Sequence, residues 1–296
     1  GGGNKNISST SEEARAKIYF GSEGFIFTEW HDLVWKKPYT KLELYHHGLI
    51  EYARHDFFQT ICIPPKKYPS PPERDLQCFA HQLPENFPCF SLVHPIMTHT
   101  RSTAAHPILP EDKSALPHHN PHFLDPEYFL ATIYPPFKKF FNTHLHSFIF
   151  AFPSHLDNAS LSSNLFIEKI NTFMENLPPE IKIAIALSHQ DYFNDAYFET
   201  LRWNNLLHVF TLNSNMPSLN TQMNAIPQQA EWILRWADDE VLQKPRNTDP
   251  IKSQIVEIKN LIQRMTDTKC FIIVNNNIGD SAPTTISELS KISMKS

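Results

Sequence analysis

Glycine is scarce in this chain, with seven residues in 296, and cysteine scarcer still, with four. No dinucleotide glycine fingerprint, phosphate-loop lysine motif or zinc-protease helix motif is present, which removes the sequence-recognisable nucleotide and zinc-hydrolase classes. The four cysteines, Cys62, Cys78, Cys89 and Cys270, show no Cys-x-x-Cys spacing, and three of them lie in apolar runs. They read as reduced thiols of a cytoplasmic protein rather than a disulfide framework or zinc set. There is no apolar run of membrane-spanning length and no apolar signal core at the amino terminus. Nor is there an excess of basic charge: 26 Lys and Arg against 31 Asp and Glu give a net charge of -5. A membrane partner is therefore not expected, and nucleic acid is disfavoured.

What the chain does have is proline, 24 residues, and phenylalanine, 22. Its dominant pattern is an alternation of short, nearly continuous apolar runs with amphipathic stretches. The runs begin with Lys17 to Ser22 and continue at Gln59 to Pro64, Cys89 to Pro95, His146 to Pro153 and Ile181 to Leu187. Leu207 to Leu212, Glu231 to Ala237 and Cys270 to Asn276 complete the set. Between them, Thr40 to His55 sets Leu42, Tyr45, Leu49, Tyr52 and Ala53 on one helical face, and Leu165 to Leu177 does the same with Phe166, Ile170 and Phe173. Asp249 and Pro250 form a helix start, carboxylate as cap and proline at the first position. Apolar strands alternating with helices predict a parallel sheet covered on its outside. Eight such units predict an α/β fold, a TIM-type (β/α)8 barrel, as a single domain over residues 16–296. Residues 1–15 are expected to be disordered.

One segment breaks the alternation. From about residue 95 to 125, after strand three, the chain is rich in His and Pro and shows neither helical nor strand periodicity. The sequence predicts an irregular insertion there. His118 and His122 have the separation of two ligands on a helical face, but Pro117 and Pro121 oppose a regular helix. No metal and no cofactor is expected.

Barrels of this type carry their sites at the carboxyl-terminal strand ends. That rule selects Glu23, Trp30, His94, His99, His189, Arg235, Asn275 and Asn276. Glu23 is the first candidate for acid–base work and His189 the second. Arg235 could hold a phosphate or carboxylate, or pair with an inward carboxylate as structural glue. Asn275 and Asn276 could orient a ligand or cap the last loop. Trp30 could stack on a ring or close the barrel mouth, and His94 and His99 are further ligand-binding candidates.

Taken in order, Gly21-x-x-Gly24-Phe25 with Trp30, then Thr98-His99, then Asn275-Asn276 followed by Ala282-Pro283, resemble the YecE-like family. The resemblance spans nearly the whole chain and implies an eight-stranded barrel of unassigned function. It also implies a glutamate and an asparagine after strand two, where Thr60 and Cys62 stand, and a lysine where His94 stands. A glutamine is implied at Ala151, and Glu-x-Arg-His at Ala186 to His189, of which only His189 is kept. The chain thus reads as a divergent member. Two functions follow as expectations: an enzyme acting on, or a protein binding, a small anionic metabolite at the barrel mouth; or a catalytically silent barrel that binds a ligand or protein. Sequence alone does not choose between them, and it leaves the oligomeric state open.

Overall fold

Each predicted apolar run forms a strand, shorter by a residue or two at most ends than the run itself. The computed structural model describes residues 16–104, 106–154, 161–237 and 248–294, with the side chains of 248–250 and 292–294 excepted. The expected disorder of residues 1–15 and the Asp249 cap fall outside that description. The strands are β1 (Lys17–Ser22), β2 (Ile61–Ile63), β3 (Cys89–Leu92), β4 (Leu145–Ala151), β5 (Ile183–Ala186), β6 (Leu207–Thr211), β7 (Trp232–Trp236) and β8 (Lys269–Val274). They form one sheet in which every ladder is parallel and β8 lies between β7 and β1. This is a nearly closed TIM-type α/β barrel with helices around it.

Alternation along each strand divides the core in two. Inward positions Cys62, Phe90, Ile149, Ala184, Val209, Ile233, Phe271 and Ile273 fill the barrel. Outward positions join the helices in a larger cluster rich in phenylalanine, which is where most of the aromatic bulk goes. Within the inner cluster, Phe90 and Phe271 meet Tyr19 and His146 ring to ring, with centroids 4.8 to 5.0 Å apart. His146 there reaches across to Glu231 at 2.9 Å, and that bond holds the Glu231 carboxyl below its usual range.

The barrel's weakest join is between β1 and β2, where a single bridge, Glu23 to Cys62, replaces a ladder. The backbones nevertheless come very close: a Cβ on Gly21 would stand 2.2 Å from the Thr60 carbonyl oxygen. Tyr52 locks the join from outside, its hydroxyl donating to Thr60 O at 2.8 Å and accepting from Ser22 N at 3.0 Å. Gly21 is thus required by strand contact, a reason beyond the tight turn or ligand approach expected for it.

One expectation is corrected. Leu42 is 67% exposed, because the helix after Thr40 contains a wide turn at Leu44–Gly48 that rotates its face; Leu44, Leu49 and Tyr52 are the buried positions. Among its described residues the insertion carries only three short regular pieces, and side-chain bonds hold it together. Arg101–Ser102 pairs antiparallel with His118–His119, and the buried Asn120 donates to Ile96 O and His99 O, both at 2.7 Å. Asp112 accepts from Ser102 Oγ at 2.6 Å and Leu109 N at 2.9 Å, while Ile108, Phe123 and Leu124 are buried. Side-chain bonds to backbone, which leave no periodic trace, organise this lobe.

Candidate functional site

The inward alternation of β1 runs Tyr19, Gly21, Glu23, and that of β8 runs Phe271, Ile273, Asn275. Asn275 extends the β8 ladder one residue, its N–H donating to Trp236 O at 2.8 Å. Arg235 is the corresponding inward position of β7, opposite Ile273 in register. Three polar side chains therefore converge at the carboxyl end of the barrel on adjacent strands.

Glu23 lies at their centre and is 7% exposed. Arg235 Nε donates to Glu23 Oε1 at 2.5 Å and Nη2 lies 3.4 Å from Oε2. Asn275 Nδ2 donates to Oε2 at 3.0 Å, while its own Oδ1 accepts from Asn277 N at 2.8 Å. Charge-assisted bonds to both carboxylate oxygens fix Glu23 in one orientation. Below it, burial pushes the Cys62 thiol well above its usual range, which leaves that cysteine unreactive.

Asn276 turns the other way. Its Oδ1 accepts from Trp30 Nε1 at 2.9 Å and from Ala282 N at 3.0 Å, tying the final helix to the turn Thr28–Trp30. Trp30 itself is fully buried among Phe27, Trp35, Tyr52 and Phe58. It presents no face to solvent and supports the mouth from behind.

The histidines sit apart from this cluster. His94 is buried after β3, with Nδ1 accepting from Ile96 N at 3.0 Å and Nε2 donating to Lys67 O at 3.1 Å; burial lowers its pKa, favouring the neutral ring. His99 lies beside Thr98, 3.3 Å from its hydroxyl, at the root of the insertion. His189 caps the turn Gln190–Tyr192, its Nδ1 accepting from Asp191 N at 3.1 Å. His118 pairs within the hairpin and His122 contacts Asp125 at 3.1 Å, so their spacing falls on no helix. Among the described residues, no group of three or more His, Cys, Asp or Glu is placed to hold a metal ion.

A cavity of about 400 Å³ opens beside Glu23, bordered by Asn275, Asn276 and Asn277. The rest of its lining is mostly apolar, with Phe25, Phe27, Ile63, Pro64 and Phe79, together with the exposed Lys66. A smaller cavity, about 40 Å³, shares Ile63, Pro64 and Lys66 and is also lined by His94. Sequence reasoning selected the polar lining of this pocket and missed Lys66 and the aromatic lining. The Pro-Pro-Lys-Lys run directly after β2 was the available signal, since it too follows a strand's carboxyl end.

A parallel barrel with a fixed carboxylate at its carboxyl-terminal mouth defines the class: a TIM-type protein with a buried polar cluster at the seam of its first and last strands. A family model described as "Protein of unknown function DUF72" matches residues 21–295, and the chain belongs to that family, for which YecE-like is the alternative name. Among solved structures, a DUF72 family protein of Thermotoga maritima is similar, with a TM-score of 0.62 and 14% identity over 94% of this chain and 99% of that one. A DUF72 family protein of Enterococcus faecalis is similar at TM-score 0.59 and 15% identity, over 95% and 99% respectively. No curated protein matches the chain at a significant level. Among the described residues, no helix is long and apolar enough to cross a membrane.

Proposed function

We propose that the barrel mouth binds a small organic molecule carrying a phosphate or carboxylate, and that Glu23 is the group through which any proton transfer to that molecule runs. The supporting observation is the cavity of about 400 Å³, lined by apolar side chains together with Glu23 and three asparagines. A pocket with an apolar wall and a few convergent polar groups is the usual form of a small-molecule site. Glu23 is oriented by Arg235 and Asn275 before any ligand arrives, which lowers the reorganisation cost of binding or reaction.

A second reading, binding without turnover, is favoured by the strands on the far side of the mouth. They present Leu92, Ala151 and Ala186, which offer no acid, base or charge to a bound molecule. A thermal-shift screen of phosphorylated and carboxylated metabolites, followed by NMR of the mixtures for turnover, tests both. Wild type is expected to be stabilised by a subset, and Glu23→Gln to lose that response. No shift in wild type would remove the mouth as the site, and an equal shift in Glu23→Gln would remove Glu23 from it. Binding with no chemical change in the ligand selects the second reading.

A further inference from the structure

Arg235 is committed to Glu23, so the cation that addresses the pocket has to be sought elsewhere. Lys66 lines the pocket, in a loop stiffened by Pro64 and Pro65 and held by the His94 bond to Lys67 O. Its ammonium lies 2.5 Å from Asp75 Oδ2. Asp75 is itself buried, with a side chain 5% exposed, and accepts from the Tyr45 hydroxyl at 2.6 Å through Oδ1. Oδ2 makes no hydrogen bond of regular geometry, so its contact with Lys66 is an ion contact alone.

An imperfectly bonded buried carboxylate is a poor source of stability, because desolvation offsets most of the attraction. Its consequence here is positional. Asp75 anchors one side of an ammonium whose side chain is otherwise 55% exposed and lines the cavity. A lysine ammonium has three donors, and an ion contact without hydrogen-bond geometry leaves them able to reach a ligand.

We infer that Lys66, held by Asp75 and Tyr45, is the anion-binding residue of the mouth pocket, and that the pocket takes an amphipathic anion whose apolar body lies on Phe25, Phe27 and Phe79. This rests on the reading of the mouth as a ligand site and names the ligand's chemistry: a carboxylate or phosphate monoester joined to an aromatic or aliphatic group. Inorganic phosphate alone forgoes the apolar wall and binds more weakly.

The test uses benzoate and phenyl phosphate as probes, benzamide as the neutral match of benzoate, and inorganic phosphate as the headgroup alone. Affinities come from titrations of the full chain, followed through the side-chain amide resonances of Asn275, Asn276 and Asn277. Lys66→Gln is expected to weaken benzoate and phenyl phosphate by about tenfold or more, the loss of one charge-assisted bond. Benzamide should bind both proteins equally, and Lys66→Arg should keep most of the anion affinity. Because Lys66→Gln strands Asp75, the neutral pair Lys66→Gln with Asp75→Asn is measured beside it and should show the same selective loss. Unchanged benzoate affinity in both variants, with the amides still responding, overturns the role of Lys66 and leaves the mouth site standing. If no probe moves those amides in wild type, both the site and this assignment fail.

Discussion

Replacing Gly21 by alanine should destabilise the barrel at its weakest join. The added Cβ would lie 2.2 Å from Thr60 O, 2.6 Å from the Thr60 carbonyl carbon and 2.7 Å from Thr60 Cγ2. The first two are backbone atoms, so no rotamer change relieves the contact; β1 and β2 must separate by about 1 Å to restore an ordinary carbon–oxygen distance. That movement acts on the Tyr52 hydroxyl bond to Thr60 O at 2.8 Å and on the Gln59 N and Thr60 N bonds to Phe20 O at 2.8 and 3.1 Å. Overpacking costs about 1–3 kcal/mol and each lost bond about 1 kcal/mol. Alanine returns about 0.4–1 kcal/mol by restricting the unfolded chain. The net expectation is a loss of about 3 kcal/mol, read as a fall in the urea midpoint at unchanged slope. A Gly21→Ala protein within about 0.5 kcal/mol of wild type would refute the argument that strand contact, rather than ligand approach, requires this glycine.

Two other outcomes follow from buried groups. His208 is fully buried, donating through Nε2 to Gln222 Oε1 at 2.9 Å and accepting at Nδ1 from Tyr197 at 2.6 Å, and burial pushes its pKa down to about 4 from 6.5. The neutral ring therefore contributes about 3 kcal/mol of stability that is present above pH 6.5 and lost as pH falls toward 4; an NMR titration of the imidazole with a midpoint above 6 would contradict this. Trp30→Phe removes the indole bond to Asn276 at a site without exposure and should cost about 2 kcal/mol, with faster amide exchange at Ala282. Unchanged exchange would show that Trp30 does not support the mouth.

The barrel was legible because each strand is buried on both faces and so leaves a near-continuous apolar run. Closure was legible too: β8 pairs with β1 in register from Lys17 and Lys269 to Ser22 and Val274. One residue later the same register brings Asn275 to Glu23, so the strand-end rule and the chain order together pointed at the seam. What was not legible depends on side chains meeting across distant loops. Lys66 finds Asp75 through a helix whose pattern says only that one face is buried. The wide turn at Leu44–Gly48 broke the period that had assigned Leu42 to the core. The Asn120 and Asp112 bonds that shape the insertion have no spacing rule at all. Arg235 shows the limit most clearly: sequence offered an anion binder or a partner for an inward carboxylate, and only the 2.5 Å contact reveals that it meets Glu23.

The central claim is that Glu23, Arg235 and Asn275 are arranged for a ligand and not for the fold. Breaking the pair by Arg235→Met should cost about 3–5 kcal/mol, because Glu23 is left buried without its charge partner. Replacing both, Glu23→Gln with Arg235→Met, should return stability to within about 1 kcal/mol of wild type, since neutral groups of similar size avoid the desolvation cost. The decisive measurement is then calorimetric titration of that folded double variant with the metabolites that stabilise wild type. The account predicts clearly weakened binding; affinity equal to that of wild type would contradict it and assign the cluster to structure alone.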